Sequence, residues 1–449
     1  MKRLLFAILA IVLAGCGKES GVIRIEGGLV RGVPSSSPGI TVFRGIPYAA
    51  PPAGELRWKA PQPVVPWDGV MVCDKFGPIA PQPGNKPGTF YGDEFYWQGT
   101  PEESEDCLYL NVWVPDEAVG HPEAALPVAM WIHGGAYLNG YGYEVTMDGE
   151  AWAKRGVILV TINYRLGVLG FLTHPELSAL NDGTSGNYGT LDQIAALKWV
   201  HDNIAAFGGD PARITVFGQS AGAKSVMTLV QSPLSRGLIK GAIIQSGGGL
   251  GPVVRDDSEA ALDSLGKAIM DNAGYPDLAA MNAAPANEIY RATVKYQDDG
   301  KGWVLLRPHT DGKVIQATFE EEVLAGNIAD IPYMIGYNSE DLGGLGGEPV
   351  ERFCAVRDSL GSAPVYQYFF KRNLPGDDDD PSNDPGAFHS AELWYVFGTL
   401  AKSWRPFTEA DFALSERMLE AWTSFCKTGD PGWKAWTAAE PFRQEFDTE

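Results

Sequence analysis

Seven short apolar runs recur along the chain: Leu108–Val114, Val128–His133, Val157–Asn163, Ile214–Phe217, Ala242–Gln245, Ile331–Tyr337 and Val365–Phe370. Several are continuous in Val, Ile and Leu rather than alternating, which predicts strands covered on both faces. Helical patterns lie between them. Residues Thr190–Ile204 set Leu191, Ile194, Leu197, Val200 and Ile204 on one stripe at steps of three or four. Phe207-Gly208-Gly209-Asp210-Pro211 then breaks that helix before the next strand. Strands alternating with helices predict an α/β fold, a mostly parallel sheet flanked by helices. Residues 255–300 are helical and polar in pattern, as suits a peripheral cap. No linker or internal repeat divides the chain after its first 16 residues, so 17–449 is read as one domain.

The first residues follow a different logic. Lys2 and Arg3 precede an unbroken apolar run of 11 residues, Leu4 to Ala14. Such a run is too short to span a hydrocarbon core of about 30 Å as a helix. It has the size of the apolar region of a signal peptide. Leu13-Ala14-Gly15-Cys16 ends it in the form of a bacterial lipobox, in which Cys16 would carry lipid. The expectation is an exported protein held to a membrane only by that anchor. Export permits disulfides, and Cys73, Cys107, Cys354 and Cys426 remain once Cys16 is set aside. Thirty-five basic against 56 acidic residues leave a net charge of −21. That surface repels phosphates and argues against nucleic-acid binding. Asp377–Asp380, followed by Pro381, is read as a solvated loop rather than a cation site. Nothing in the sequence calls for a metal or a cofactor.

The chemistry is concentrated at Gly218-Gln219-Ser220-Ala221-Gly222. This is G-x-S-x-G between a predicted strand and a predicted helix. The sharp turn needs small neighbours so that strand and helix can approach, and it leaves the Ser220 hydroxyl free at the sheet's carboxyl edge. A serine needs a base. In the order that goes with this elbow the acid and then the histidine follow the serine, which leaves His309 and His389. His389 is favoured, since it follows a loop rich in Gly, Pro and Asp of the kind that lies on a sheet's rim. The acid must hold the imidazole tautomer and stabilise its cation. Glu340 and Asp341, just past the Ile331–Tyr337 strand, both qualify on local grounds. The strand Val128–Ile132 runs into His133-Gly134-Gly135-Ala136, where backbone N–H groups can face a developing oxyanion. Gly134 and Gly135, with Ala221, would supply the donors, and His133 would shape the loop.

These blocks resemble a type B carboxylesterase, a group that includes bacterial carboxylesterases and, more distantly, cholinesterases. The resemblance rests on Phe43-Arg44-Gly45-Ile46-Pro47-Tyr48-Ala49, on Ser104-Glu105-Asp106-Cys107-Leu108-Tyr109-Leu110-Asn111 and on Asn163-Tyr164-Arg165-Leu166-Gly167. It continues through Gly186-Asn187-Tyr188-Gly189, Leu191-Asp192-Gln193, the elbow and His389. It implies an α/β-hydrolase fold and hydrolysis of small-molecule carboxylic esters through an acyl-enzyme. The same three groups would also serve an amide. An inactive, cholinesterase-like binding module is disfavoured because both Ser220 and His389 are present. The family's spacing from Gly336 selects Asp341 as the acid and leaves Glu340 beside it. The usual residue there is Glu followed by Gly, whereas this chain has Asp followed by Leu342. Ser246 resembles a serine that hydrogen-bonds the acid. Arg57 with Glu105, and Arg165 with Asp192, resemble buried ion pairs. Cys73–Cys107 matches the family's first disulfide, and Cys354–Cys426 is expected as a second. Only 47 residues separate Asp341 from His389, fewer than relatives usually carry, which implies a reduced cap and a more open pocket.

Overall fold

The computed structural model describes residues 21–449 except 86, 182, 252–257, 303, 344 and 377–385. Cys16, the lipobox and Asp377–Asp380 lie outside the described residues. Among the described residues thirteen strands form two sheets. Three short ones, β1 (Val22–Ile25), β2 (Gly28–Arg31) and β5 (Val70–Val72), make a small sheet near the start of the described chain. The others are β3 (Val33–Pro34), β4 (Ile40–Pro47), β6 (Tyr109–Pro115), β7 (Leu126–Ile132) and β8 (Ile158–Ile162), then β9 (Gly209–Gln219), β10 (Gly241–Gln245), β11 (Tyr333–Asn338), β12 (Val365–Phe370) and β13 (Arg443–Phe446). They form a ten-stranded sheet in the order β13-β12-β11-β10-β9-β7-β8-β6-β4-β3. From β8 to β13 every pairing is parallel. The β3, β4 and β6 end is antiparallel.

The parallel strands are short runs of Val, Ile and Leu because both their faces are covered. Along β7 the side chains alternate between two cores. Val128, Met130 and Ile132 enter one; Ala129 and Trp131 enter the other. The first core is closed by helices that include Tyr188–Asn203 and Ala221–Gln231. The second is closed chiefly by Glu409–Thr428, whose Trp422 is fully buried. All seven predicted strands form. So does the predicted 190–204 helix, as Tyr188–Asn203. The described residues of the polar 255–300 region form three helices, Glu259–Ala273, Leu278–Ala283 and Ala286–Asp298.

Both expected ion pairs are present. Arg165 Nε and Nη2 each donate to the Asp192 carboxylate at 2.7 Å, and both side chains are buried. Arg57 pairs with Glu105 through Nε at 2.6 Å and Nη2 at 2.5 Å. The paired forks match each guanidinium with a carboxylate away from water, so removing either carboxylate would leave a buried charge unmatched.

The expected disulfides are not present: Cys73, Cys107, Cys354 and Cys426 are all buried free thiols. Cys354, on the helix Glu348–Ser359, belongs to the first core, and Cys426 belongs to the second, so the sheet stands between them. Cys73 turns its sulfur back toward the Met71 carbonyl of its own segment. Cys107 is instead enclosed beside the Arg165–Asp192 pair. Burial pushes the Cys73 and Cys426 thiols up to about 12, with the Asp74 charge adding to the first and a Thr215 hydrogen bond opposing the second. Such thiols carry almost no thiolate at neutral pH and react slowly. Alkylation of the native protein without reductant should therefore label none of these four residues. Alkylation after unfolding, still without reductant, should label all four. A pair found cross-linked by peptide mapping would contradict this arrangement.

Candidate active site

Three strand ends converge. Strand β9 ends at Gln219, and the helix Ala221–Gln231 begins one residue beyond Ser220. The chain turns that sharply only because Ser220 adopts φ 59° and ψ −122°, a region that costs a non-glycine residue energy. The helix then passes hard against the neighbouring strand end. A Cβ on Gly222 would stand 2.0 Å from the Ile132 carbonyl oxygen and 2.8 Å from that of His133. Glycine is therefore required there by contact with β7. Ala221 is the first helical residue, where the backbone N–H has no acceptor within the helix.

The loop after β7 is strained as well. Gly135, Ala136 and Tyr137 have φ of 97°, 55° and 60° in succession. A Cβ at Gly135 would meet the Asn139 carbonyl at 2.0 Å. Gly134 lies against the elbow, with the place of its missing Cβ 3.1 Å from Ser220 Cβ. His133 is buried beneath the loop. Its Nδ1 is 2.9 Å from the Gly134 carbonyl, its ring stacks on Tyr164 at 4.4 Å, and its own carbonyl accepts from the Tyr164 hydroxyl. Burial pushes its imidazole down to about 4, against the pull of the Gly134 carbonyl, so it is neutral at physiological pH. The loop is tied further by Glu144, which accepts from the Tyr141 N–H and the Tyr96 hydroxyl.

Beyond β11 the backbone N–H groups of Asn338 and Leu342 both donate to the Asp341 carboxylate. Asp341 Oδ1 lies 2.5 Å from His389 Nδ1. Burial alone would push the Asp341 carboxyl up. The hydrogen bond and charge of His389, the Ser246 hydroxyl and the Asn338 N–H outweigh burial and hold it below the usual carboxylate value. Ser246 is fully buried at φ 50° and favours that charge by proximity, its hydroxyl making no hydrogen bond of ordinary geometry. With Nδ1 committed to Asp341, Nε2 is the nitrogen left for other partners. It lies 3.3 Å from the Gln219 side-chain amide, which brings the ring to the elbow.

Glu340 and Asp341 part company here. The Glu340 side chain is exposed. Its backbone N–H donates to the Ala387 carbonyl, and Glu340 forms an isolated bridge with Phe388. Glu340 thus pins the His389 loop through its main chain, while Asp341 meets the imidazole. His309 lies elsewhere, its backbone tied to the Asn187 side chain.

One residue beneath the site was not singled out from the sequence. Glu392 is fully buried and accepts from Asn338 Nδ2 at 2.6 Å and Gln245 Nε2 at 3.2 Å. Asn338 Nδ2 also donates to the Phe388 carbonyl, and Trp422 Nε1 braces Gln245. Burial, opposed by the Asn338 hydrogen bond and reinforced by the Asp341 charge, pushes the Glu392 carboxyl up to about 7. The available signal was a lone carboxylate in the apolar run Ala391–Phe397. Glu144 escaped notice too, and burial likewise pushes its carboxyl up to about 7 against those two donors. Of seven non-glycine residues with positive φ among the described residues, five (Ala136, Tyr137, Ser220, Ser246 and Ser390) belong to these loops. Strain is thus collected around one spot, as at sites that do chemistry.

Comparison with known proteins agrees with this geometry. The profile of the family described as "Carboxylesterase family" matches residues 19–348 and 347–446. The para-nitrobenzyl esterase of Bacillus subtilis (strain 168) is 33% identical over 472 residues, 92% of this chain and 91% of that protein. The fumonisin B1 esterase of Sphingopyxis macrogoltabida is 39% identical over 340 residues, 74% of this chain and 58% of that protein. The solved structure of a thermophilic PNB esterase superposes with a TM-score of 0.84 at 30% identity, over 96% of each chain. A carboxyl-edge serine elbow in a mostly parallel sheet, read with these likenesses, has one meaning: the chain belongs to the carboxylesterase family and is a serine hydrolase of carboxylic esters with the α/β-hydrolase fold.

Proposed function

We propose that Ser220 is the nucleophile of this esterase, His389 its base and Asp341 the group that orients His389. The observation that carries this reading is the 2.5 Å contact between Asp341 Oδ1 and His389 Nδ1 beside the strained elbow. Ser220 Oγ attacks the ester carbonyl while His389 Nε2 takes its proton. The Asp341 carboxylate, held ionised, stabilises the imidazolium that results. Negative charge then develops on the carbonyl oxygen, and the N–H groups of Gly134, Gly135 and Ala221 receive it. The intermediate collapses with the C–O bond breaking, and the alkoxide leaves as an alcohol with the proton from His389. Water, deprotonated by the same nitrogen, releases the acid and restores Ser220. We further propose that the enzyme is exported and anchored by lipid at Cys16. The basic and apolar leader and the Leu-Ala-Gly-Cys box support this.

Ser220→Ala should lower kcat by about 10⁴-fold or more, since nothing else at the elbow can form an acyl-enzyme. An organophosphonate should leave its adduct on Ser220 in peptide mass spectra, and an adduct elsewhere would displace the assignment. Asp341→Asn should keep the fold by circular dichroism yet lose about 10⁴-fold in kcat, because the amide favours the wrong imidazole tautomer. Glu340→Gln should cost less than about tenfold, as its carboxylate stands outside the proton path. The opposite ranking in steady-state kinetics would transfer the orienting role to Glu340. In a Gram-negative host Cys16→Ser should free the protein from membrane fractions or block its processing. Unchanged membrane association would refute the anchor.

A further inference from the structure

The loop that carries His389 is held from two sides. On one side the end of β11 reaches it: the Glu340 N–H donates to the Ala387 carbonyl, and Asn338 Nδ2 to the Phe388 carbonyl. On the other lies a short helix, Phe90–Phe95, capped by the Thr89 hydroxyl, which accepts from the Gly92 N–H. From this helix the Tyr91 hydroxyl donates to the His389 carbonyl at 3.1 Å. Three successive carbonyls are thus tied, and the third belongs to His389 itself. The next residue is strained: Ser390 has φ 81°, left-handed backbone that a side chain disfavours. A peptide in that state keeps its direction only while its neighbours hold it.

The short helix is a firm support. Glu94 and Phe95 follow Tyr91 by three and four residues, so the three share one face. Glu94 is buried and accepts from Trp394 Nε1 at 2.8 Å and from Arg405 Nε at 3.0 Å. Arg405, also buried, donates from Nη1 to the Pro375 carbonyl. Phe95 stacks on Trp394 at 5.8 Å, and Phe90 meets Phe388 edge-on at 4.8 Å. One residue past the helix, the Tyr96 hydroxyl donates to Glu144, which ties the loop after β7. The same helix therefore braces the His389 loop and the loop that begins at His133. Burial, and after it the charges of Asp341 and Glu392, push the Tyr91 hydroxyl up to about 12, so it stays a donor at any working pH.

We infer that Tyr91 is a positioning residue for His389, acting through the main-chain carbonyl from a helix that braces both loops of the site. The inference rests on His389 being the base. Tyr91 fixes the peptide that follows His389, which keeps Nδ1 on Asp341 and so sets where Nε2 points. Without the hydroxyl that peptide is free to turn, and Ser390 to leave its strained conformation. Nε2 would then spend less time on the Ser220 hydroxyl, and Asp341 would support the imidazolium less. Formation and hydrolysis of the acyl-enzyme both use that nitrogen, so both would slow, while substrate binding would not change.

The test is Tyr91→Phe, which keeps the ring and removes only the hydroxyl. Organophosphonate titration counts the competent sites, and kcat and KM per site are measured against pH on ethyl butanoate by pH-stat. The expected result is a kcat lower by about five- to tenfold, as for the loss of one hydrogen bond, with KM unchanged. The acidic limb of kcat against pH should also move to lower pH, because an imidazolium with less support from Asp341 loses its proton more readily. A kcat equal to that of the wild type would overturn the inference. So would a loss carried by KM, or a loss that leaves the acidic limb where it was, since packing alone accounts for either. His389→Ala in the same assay keeps the two readings apart. Retained hydrolysis there would refute the base itself, whereas the Tyr91→Phe profile bears only on how the base is held.

Discussion

The approach of the Ala221–Gln231 helix to the end of β7 is the constraint on which the site depends. Gly222 meets the Ile132 carbonyl with no room for a Cβ, and this contact forces the chain through the strained backbone of Ser220. The same contact brings the first turn of the helix, with its open N–H groups, beside the loop that begins at His133. Sheet order completes the arrangement. Strands β7, β9, β10 and β11 are consecutive parallel neighbours, and the chain reverses its direction across the sheet between β8, on one side of β7, and β9, on the other. Their carboxyl ends therefore deliver the loop that begins at His133, the elbow, Ser246 and Asp341 to one rim. Ligands of open α/β sheets bind at such rims.

Much of this was legible in the sequence because it is written in local chemistry. Continuous apolar runs mark doubly covered strands, and small residues around a serine mark a turn that larger side chains would block. The choice between Glu340 and Asp341 was not local. Adjacent residues of an extended segment point in different directions, and only the approach of the His389 loop shows which one meets the imidazole. Sequence resemblance selected Asp341, and it is the Asp341 carboxylate that lies 2.5 Å from the imidazole. The cysteines show the opposite case. Their even number and their match to a family pattern suggested two bridges, yet Cys354 and Cys426 lie on opposite faces of the sheet. Pairing is a property of three-dimensional placement, which a spacing does not contain. The sheet of β1, β2 and β5 escaped for another reason: strands of three or four residues leave too short a pattern to detect.

Glu392 shows how a polar group can be silent in the sequence and central in the structure. Nothing nearby in the chain marks it, because its partners Asn338, Gln245 and the Phe388 carbonyl come from other elements. Hydrogen bonds in a buried polar network are stronger than in water and tie together the elements that supply them. This one joins the end of β11, the end of β10 and the His389 loop. Its Gln245 is braced by Trp422, from the long helix Glu409–Thr428. The carboxylate that touches the imidazole is thus held indirectly by a helix on the far side of the sheet.

That far helix, and β13 pairing in parallel with β12, give the C-terminal part of the chain a consequence for biosynthesis. Residues up to Gln231 can collapse around β7, β8 and β9 while the ribosome is still adding amino acids. The support beneath Asp341 cannot assemble until Trp422 has left the exit tunnel, nor the sheet edge until Phe446 has. The framework beneath the site is thus completed late in synthesis, however early the serine was made.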